Sequence, residues 1–349
     1  MVEEKTKNDI RSLSVKMLNK AIEDLGEKPY RARQIYHWIW GKSITSFNQM
    51  SSLSKGFRDK LNLEFEIRPI TIDTLQKSED NTIKVAFKLF DDNYIEGVLI
   101  PAENRMTACI SSQVGCSLSC KFCATGYLER KRNLSPGEIY DQVILIKNLA
   151  EEHYQKPLTN IVFMGMGEPM LNFGNVMLAI EHLTSPEGLQ MSPRRITVST
   201  AGISKMIKKC GDDGARFKLA ISLHAANDLK RSQIMPINES NTLSSLSESL
   251  QYFYNKTKSL ITLEYIVFKD FNDSLEDAHE LVVFSRKFPC KVNIIEYNPI
   301  DEASFQNTGE DRLEIFRDFL EKNRVQATLR RSRGKDIDAA CGQLANKQS

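Results

Sequence analysis

The first 65 residues show the spacing of hydrophobic side chains that is typical of amphipathic helices. One series recurs at steps of three and four residues from Ile10 to Leu25 and ends at Gly26, a residue type common just after helices. Pro29 then begins a second segment that is rich in aromatic residues, and proline suits the first turn of a helix. We therefore predict a small helical accessory region over residues 1–65.

From about residue 67 to residue 113 the pattern changes to that of β-strands. The segments that carry it are ITIDT, TIKVAFKLF, YIEGVLIPA and MTACISS. They are rich in β-branched residues or alternate between apolar and polar positions. We predict a β-rich linker or extension over residues 66–104, followed by the first strand of the main domain.

Farther along the chain, apolar strands alternate with amphipathic helices. The strands are predicted over residues 160–165, 195–200, 217–223, 261–268, 291–297 and 325–331, and the helices between them include residues 135–152, 274–287 and 310–323. Such alternation indicates βα units with right-handed crossovers around a parallel sheet. A closed eight-stranded barrel takes about 250 residues. We therefore predict an α/β fold of the incomplete (β/α)6 type over residues 105–335, followed by a C-terminal loop and tail over residues 336–349.

Composition indicates an ordinary globular protein. Of 349 residues, 41% are hydrophobic and 26% are charged, and no apolar run reaches the length of about 18 residues that a membrane span needs. The N-terminal MVEEKTKNDI lacks the apolar region of a secretory signal, and an odd number of cysteines, seven, argues against a disulfide framework. We expect a cytoplasmic protein with no membrane partner.

The net charge of +2 is unevenly distributed. Residues 1–68 hold 13 lysines and arginines against 9 acidic residues, and residues 324–335 hold five basic residues and no acidic one. Short basic patches of this kind suit a phosphate backbone, although a solvated surface explains them equally well from charge alone.

Candidate functional residues gather where the predicted strands end. A cysteine cluster follows the first core strand, GMGEP (165–169) follows the second, Ser199 ends the third, SLH (222–224) ends the fourth, and Asn298 follows the sixth. The active site of a parallel barrel is built at the C-terminal ends of its strands. This placement predicts an enzyme with its active site at that rim.

The cysteine cluster, GCSLSCKFCATG, places Cys116, Cys120 and Cys123 on one loop. Three thiolates at these spacings can hold one metal centre, but zinc sites and iron–sulfur clusters normally take four protein ligands. The candidates for the fourth ligand of a zinc site are Cys109, Cys341 and His224. The other interpretation is an iron–sulfur cluster with one coordination position left open.

The spacing CxxxCxxC, with an aromatic residue before the last cysteine, resembles the radical S-adenosylmethionine enzymes. In those enzymes three cysteines hold a [4Fe–4S] cluster, and the fourth iron binds S-adenosylmethionine at the open position. The segment GMGEP resembles the part of those enzymes that holds the amino group of the methionine moiety. The resemblance therefore implies both cofactors.

The resemblance narrows when the other motifs are included. CISSQVGCSLSCKFCATG, FMGMGEPMLN, SPRRITVSTAG, LAISLHA, MPIN and RGKDIDAACGQL are together similar to the RlmN/Cfr family of RNA adenine methyltransferases, over about residues 94 to 344. The family methylates adenine in 23S rRNA, at carbon 2 in the housekeeping branch and at carbon 8 in the antibiotic-resistance branch. The housekeeping branch also methylates carbon 2 of adenine 37 in some tRNAs. Pro169 resembles the housekeeping branch, since the resistance enzymes tend to carry alanine there.

The resemblance implies a reaction in which a cysteine carries the methyl group. Carbon 2 of adenine lies between two electron-withdrawing nitrogens and is not a nucleophile, so radical chemistry supplied by the cofactor is required. Cys341 would take a methyl group from one S-adenosylmethionine, and a radical from a second would abstract hydrogen from it before the methylene group adds to adenine. Glu96 would remove the proton from the adenine carbon, and Cys109 would free the product by forming a disulfide with Cys341.

The resemblance also assigns binding residues and partners. The cluster ligands are Cys116, Cys120 and Cys123, and the positions that hold S-adenosylmethionine are Gly167, Glu168, Ser199, Ser222, Leu223, His224 and Asn298. The implied partners are 23S rRNA, tRNA and a low-potential electron donor such as flavodoxin or ferredoxin. Residues 1–65, basic and aromatic, are the expected RNA contact.

Two other functions are open from the residues alone. One is a zinc-dependent RNA-binding module that uses Cys109, Cys116, Cys120 and Cys123, and the other is a carbon 8 methyltransferase that confers resistance. Without the resemblance, Glu96 would be an outward-facing strand residue and Cys109 a packed core residue.

Overall fold

The computed structural model describes residues 7–346, so the first six residues of the predicted accessory region and the last three of the predicted tail lie outside it. The described helices are α1 Val15–Asp24, α2 Tyr30–Tyr36, α3 Lys55–Glu64, α4 Pro136–Tyr154, α5 Phe173–Thr184, α6 Ser204–Asp212, α7 Asp228–Ile234, α8 Leu243–Thr257, α9 Leu275–Ser285 and α10 Glu310–Lys322. A π-helical turn, His37–Gly41, continues α2. None of the described helices is long and apolar enough to cross a membrane.

The described strands are β1 Asn8–Asp9, β2 Phe65–Glu66, β3 Thr71–Lys77, β4 Ile83–Lys88, β5 Tyr94–Ala102, β6 Arg105–Cys109, β7 Gln113–Val114, β8 Arg132–Asn133, β9 Asn160–Phe163, β10 Ile196–Thr200, β11 Lys218–Ser222, β12 Ile261–Val267, β13 Cys290–Glu296 and β14 Ala327–Arg330. The six strands predicted after the cysteine cluster, β9 to β14, are all present, with ends within two residues of the prediction.

Ten strands form one sheet in the order β14-β13-β12-β11-β10-β9-β6-β5-β4-β3. Within the described chain, β6 and β9 to β14 run parallel, whereas β3, β4 and β5 pair antiparallel and continue the sheet beyond β6. The two ends of this order, β14 and β3, do not pair, so the barrel is open. The predicted incomplete parallel barrel is confirmed, and it has seven parallel strands.

Local sequence signals explain where the barrel helices begin. Ser135 and Glu138 form a capping box at the start of α4, and Pro136 occupies the first turn, where its missing N–H costs nothing. Ser274 and Asp277 form the same arrangement at α9. These caps fix the helix starts that follow the strand-end loops, and thereby help to position the rim on which the candidate site lies.

Buried polar and aromatic contacts join the N-terminal helices to the barrel. The guanidinium of Arg11 donates to the Asp141 carboxylate on α4 at 2.7 Å, and both groups are largely removed from solvent. The Trp40 ring stacks on the His182 ring of α5 with 3.8 Å between centroids. The Tyr36 hydroxyl lies 2.7 Å from His182 Nδ1. His182 therefore lies at the centre of the contact between the two parts.

Burial of His182 predicts acid sensitivity of this contact. Its Nε2 has no hydrogen-bond partner, and burial lowers the pKa of His182 from 6.5 to about 3. Below pH 6.5, His182 is protonated in the unfolded chain, whereas in the folded chain it stays neutral until the pH nears 3. The free energy of unfolding therefore falls as the pH falls through this range. We expect the free energy of unfolding to drop by roughly 1 kcal/mol over the first pH unit below 6.5 because of this histidine.

The measurement is urea unfolding of the parent and of His182→Gln at pH 7 and at one unit below 6.5. The parent should lose more stability than the variant between the two conditions. His279→Gln is the matched control, because His279 is exposed on α9, and it should keep the pH dependence of the parent. Equal pH dependence in the parent and His182→Gln would show that His182 is protonated in the folded protein.

Candidate active site

One cavity lies at the C-terminal ends of the parallel strands, where the sequence predicts the active site. It holds about 150 Å³ and is bounded by the cysteine loop, the ends of β9 to β13 and the C-terminal segment. Its lining includes most of the predicted site residues: Cys116, Cys120, Cys123, Gly167, Glu168, Ser199, Ser222, His224 and Cys341. The fold thus brings together residues that lie more than 200 positions apart in the chain.

The two ends of the cysteine loop are joined by a short two-stranded sheet, in which β7 pairs antiparallel with β8. Gly115, directly after β7, has φ +73°, and a Cβ there would lie 2.1 Å from the Glu129 carbonyl oxygen. Only glycine therefore permits this closure. Within the loop, the Cys123 N–H donates to the Cys120 carbonyl at 3.2 Å, and both residues line the cavity.

Burial keeps the three loop thiols protonated when no cation is near. It raises the pKa of Cys116 to about 11, and it raises the pKa values of Cys120 and Cys123 as well. The charge of Cys123 raises the pKa values of Cys116 and Cys120 further, and the charge of Cys341 raises that of Cys123. A bound cationic metal centre deprotonates coordinating thiols, so the loop suits metal binding.

Three loop thiols are the donor set that an iron–sulfur cluster with one open position needs, whereas the zinc alternative needs Cys109 as well. Among the residues that the structure describes, no three metal-ligating side chains are placed to hold one ion. In a cubane cluster each cysteine binds a different iron, so the sulfurs lie farther apart than the ligands of a single ion. Cys109, which the zinc alternative needs, is not among the described residues that line this cavity.

Glu168 presents a buried carboxylate to the cavity. Its Oε2 accepts the Ala201 N–H at 2.8 Å, and its Oε1 accepts the Met170 N–H at 2.9 Å. Burial raises the pKa of Glu168, although these hydrogen bonds oppose the rise. Gly167 beside it has φ +91°, and a Cβ there would lie 2.4 Å from Gln113 Cβ. A rigidly held carboxylate in an apolar setting is well suited to bind an ammonium group.

His224 is a neutral hydrogen-bond donor at the same rim. Burial lowers the pKa of His224 to about 3, and Nδ1 accepts the Ile266 N–H at 3.0 Å. The ring proton is therefore assigned to Nε2. Ser199 and Ser222 lie beside it in the cavity wall, whereas Leu223 is fully buried in the core and is not among the described lining residues.

Asn298 contacts the C-terminal segment. Its Nδ2 donates to the Cys341 carbonyl oxygen at 3.2 Å, and its buried Oδ1 has no partner among the described residues. The segment is held further by the Thr125 hydroxyl, which donates to the Leu344 carbonyl at 2.6 Å, and by the Ala124 N–H, which donates to the Gly342 carbonyl at 2.7 Å. Cys341 is thus fixed over the cysteine loop.

Cys341 also borders a second cavity of about 560 Å³, which occupies the interior of the barrel and which we call the barrel shaft. The shaft is lined by inward-facing side chains of β6 and β9 to β14, and Cys109 on β6 is one of them. Burial, followed by the proximity of Cys341, raises the pKa of Cys109 to about 12, while Arg330 opposes the rise. Cys341 in turn raises the pKa of Arg330. The two cysteines and Arg330 are therefore neighbours.

Glu96 lies away from both cavities among the described residues. It is 2% exposed on β5, and its Oε2 accepts the N–H groups of Ala345 and Asn346 at 2.9 and 3.2 Å. Its Oε1 lies 3.7 Å from the Lys84 ammonium. The carboxylate thus holds the end of the described chain close to β5.

Arg231 is a site residue that the sequence analysis missed. Its guanidinium is fully buried and donates to the carbonyl oxygens of Ala201, Ser222 and Leu223 and to the Asn238 side chain. None of these described partners is charged, and burial lowers the pKa of Arg231 to about 10. It ties together the ends of β10 and β11 that form the cavity wall. A single arginine in an amphipathic helix gives no sequence signal that separates it from a surface residue.

Comparison with known proteins agrees with this geometry. The Radical SAM superfamily matches residues 110–282, and the family described as the ribosomal RNA large subunit methyltransferase N-terminal domain matches residues 8–67. A crystal structure of a radical SAM methyltransferase from Sphaerobacter thermophilus has a TM-score of 0.90 at 37% identity, covering 97% of this chain and 99% of that one.

Curated relatives resemble the chain over nearly its whole length. The probable dual-specificity RNA methyltransferase RlmN of Cytophaga hutchinsonii is 60% identical over 342 residues, which is 98% of this chain and 94% of the relative. The dual-specificity RNA methyltransferase RlmN 2 of Myxococcus xanthus is 45% identical over 345 residues, covering 97% of this chain and 91% of the relative.

An open parallel barrel with three cysteines on the loop over its strand ends defines a radical S-adenosylmethionine enzyme. The [4Fe–4S] cluster and S-adenosylmethionine are the cofactors of that class. Within it, the chain belongs to the RlmN family of dual-specificity RNA methyltransferases. The predicted family and fold are confirmed, and the roles of individual residues and the domain boundaries stay predictions.

Proposed function

We propose that this protein methylates carbon 2 of adenine in 23S rRNA and in some tRNAs, at adenine 37, with Cys341 as the carrier of the one-carbon unit. The observation that carries the proposal is the position of Cys341 between the cavity of the three loop cysteines and the barrel shaft that Cys109 lines. A thiol in that position can accept a methyl group on one side and be attacked by a second thiol on the other.

The loop and the strand ends supply the binding groups. Cys116, Cys120 and Cys123 would hold the [4Fe–4S] cluster, and the buried Glu168 carboxylate would receive the amino group of S-adenosylmethionine. When bound, the cluster and S-adenosylmethionine would supply the methyl group and the radical that abstracts a hydrogen atom. The Nε2–H of His224 is a fixed donor for polar atoms of the same ligand. The protein contributes position, because the Glu168 carboxylate and the His224 ring are buried and held by hydrogen bonds from backbone N–H groups.

Cys341 would accept the methyl group, and Cys109 would release the product. Cys341 attacks as a thiolate, because the thiolate and not the thiol is the nucleophile. Once the methylene carbon is bound to adenine, the Cys109 sulfur attacks Sγ of Cys341. An S–S bond forms, the S–CH₂ bond breaks with its electron pair passing to the base, and a proton completes the methyl group.

We propose Glu96 as the base that removes the proton from adenine. In this structure its Oε2 is occupied by the N–H groups of Ala345 and Asn346. Base catalysis by Glu96 therefore requires that these two hydrogen bonds break, so it depends on the position of the C-terminal segment that also bears Cys341.

Two features support the finer assignments. Pro169, at the start of the short helix after Glu168, favours carbon 2 over the carbon 8 alternative by its resemblance to the housekeeping branch. All seven cysteines are free, which suits a reducing compartment, so we propose that the protein is cytoplasmic. A low-potential carrier such as flavodoxin or ferredoxin would supply the electron that the cluster needs.

The proposal is tested by mass spectrometry of nucleosides from 23S rRNA and tRNA of cells with and without the gene. Loss of 2-methyladenosine from both RNAs without the gene is the expected result, and re-expression of the gene should restore it. Unchanged 2-methyladenosine would contradict the proposal. Loss of 8-methyladenosine instead would assign the protein to the resistance branch.

The N-terminal region carries an RNA-binding prediction. On its surface the Lys42 ammonium lies 4.1 Å from the Trp38 ring centroid, and the Arg31 guanidinium lies 5.0 Å from that of the exposed Tyr30. Paired cations and aromatic rings can contact phosphates and stack on unpaired bases. We expect Lys42→Ala to weaken RNA binding and to reduce the slope of log affinity against log salt by about 1.

The measurement is fluorescence anisotropy with labelled tRNA over a salt series. Lys205→Ala, on the exposed face of α6, is the control and should leave the slope unchanged. Cleavage of S-adenosylmethionine without RNA should be equal in all three proteins, because the cavity is untouched. An unchanged salt slope in Lys42→Ala would place the RNA contact elsewhere.

A further inference from the structure

The barrel shaft is unusual for a parallel barrel because it is open and half of its lining is polar. Parallel barrels are normally filled by packed layers of branched apolar side chains. Here a space of about 560 Å³ is lined by threonine, asparagine and lysine side chains that project inward from the strands, together with apolar side chains such as Val162, Met164 and Ile295. A polar space of this size holds water and small solutes rather than packed side chains.

The shaft carries an excess of positive charge. Arg105 begins β6, Lys218 begins β11, and Lys291 lies near the start of β13, so all three surround the mouth at the N-terminal ends of the strands. Among the described lining residues the only carboxylate is Glu264, which lies 3.7 Å from the Arg330 guanidinium. A cleft lined by one sign of charge raises the local concentration of small ions of the opposite sign.

The inner end of the shaft lies at the two redox-active cysteines. Cys109 is four residues beyond Arg105 on the same strand, so the thiol lies roughly 13 Å from the mouth. Cys109 is 6% exposed and lines the shaft only, whereas Cys341 borders both cavities. A reagent that reaches the bond between these two sulfurs without crossing the cofactor cavity therefore enters through the shaft.

We propose that the barrel shaft is the entry route for a small anionic thiol that reduces the Cys109–Cys341 disulfide after each methyl transfer. The proposal rests on the proposed function, in which that disulfide forms. From the mouth of the shaft, a thiol carried on the surface of a folded protein does not reach the Cys109 sulfur at that depth, whereas a small molecule does. The charge at the mouth selects a thiol that bears a carboxylate or a sulfonate.

The chemistry is two successive thiol–disulfide exchanges. A thiolate attacks Sγ of one cysteine, forms a mixed disulfide and expels the other cysteine as a thiolate. A second thiolate attacks the sulfur of the bound small molecule, breaks the mixed disulfide and leaves as the small-molecule disulfide. Two small thiols are oxidised, Cys109 and Cys341 are reduced, and the two protons of the small thiols pass to the cysteines.

The test uses the full-length protein, oxidised to form the disulfide, and two thiols of similar size and opposite charge, 2-mercaptoethanesulfonate and cysteamine. Peptide mapping follows loss of the Cys109–Cys341 peptide pair over time, at equal thiolate concentration and low salt. We expect the anionic thiol to react at least about tenfold faster, and salt to reduce the difference. Lys218→Glu/Lys291→Glu should reverse the preference, and Lys208→Glu on α6 should retain it.

The remaining outcomes separate a failure of the shaft proposal from a failure of the proposed function. If the disulfide does not form on oxidation, the proposed function loses its release step, which is a separate failure. If it forms and both thiols react equally in the parent and the charge-reversed protein, the shaft is not the route. If Lys218→Glu/Lys291→Glu weakens RNA binding but keeps the thiol preference of the parent, the proposal is overturned. Reduction of the disulfide by a protein dithiol, and not by either small thiol, overturns it too. The neutral pair Lys218→Gln/Lys291→Gln serves if the reversed pair does not fold.

Discussion

Cys109→Ala should stop after about one turnover and accumulate as a covalent protein–RNA adduct. The variant retains Cys341 and the whole cofactor cavity, so methylation of Cys341 and addition to adenine should proceed. Release requires a second sulfur beside Cys341, and Cys109 is the described cysteine that shares the barrel shaft with it. The adduct should appear on a denaturing gel as a slowly migrating band that nuclease digestion removes.

The controls use other thiols of the same chain. Cys210→Ala replaces a thiol that is also buried but packs beside Met170, and it should turn over like the parent. Adding Cys341→Ala to the Cys109 variant should eliminate the band. Normal turnover by Cys109→Ala would show that another group frees the product and that Cys109 only fills the core.

Replacing any one of Cys116, Cys120 or Cys123 with alanine should abolish cluster assembly and all activity. Each thiol would bind a separate iron, and the loop offers no fourth thiol to replace a lost one. After anaerobic reconstitution, each variant should lack the absorption near 400 nm that the parent shows and should form no 5′-deoxyadenosine. Iron content should fall to the level of the unreconstituted protein.

Cys290→Ala is the matched control, because this half-buried thiol lies on β13 and is absent from the described lining of the cavity. It should reconstitute like the parent. Circular dichroism separates loss of the cluster from loss of the fold. A loop variant that keeps both its iron and 5′-deoxyadenosine formation would show that its cysteine is not a ligand.

The strand-end site could be predicted because it follows from periodicity and topology. Parallel strands place their C-terminal ends on one edge, so residues at the ends of β10 and β11 and in the loop after β9 must converge. Glu168, Ser199 and Ser222 do line one cavity. These strands could be located because each is buried between its neighbours, and a buried strand appears in the sequence as a short apolar segment between amphipathic helices.

The remaining features depend on contacts between distant parts of the chain. Cys341 reaches Cys109 because the tail is held by Thr125 and Asn298, and no local pattern encodes those hydrogen bonds. Lys218 and Lys291 have the alternation of solvent-facing strand residues, yet they face the inside of an open barrel. Their position depends on the width of the barrel, which is a property of the whole sheet.

The most direct test of the central claim uses S-adenosylmethionine whose methyl group carries three deuterium atoms. If Cys341 carries the one-carbon unit, one deuterium is lost from its S-methyl group before the carbon reaches adenine. Mass spectrometry of the RNA nucleosides should then show 2-methyladenosine with two deuterium atoms, and 5′-deoxyadenosine should contain the third. Methyladenosine with all three deuterium atoms, formed equally well by Cys341→Ala, would contradict the account.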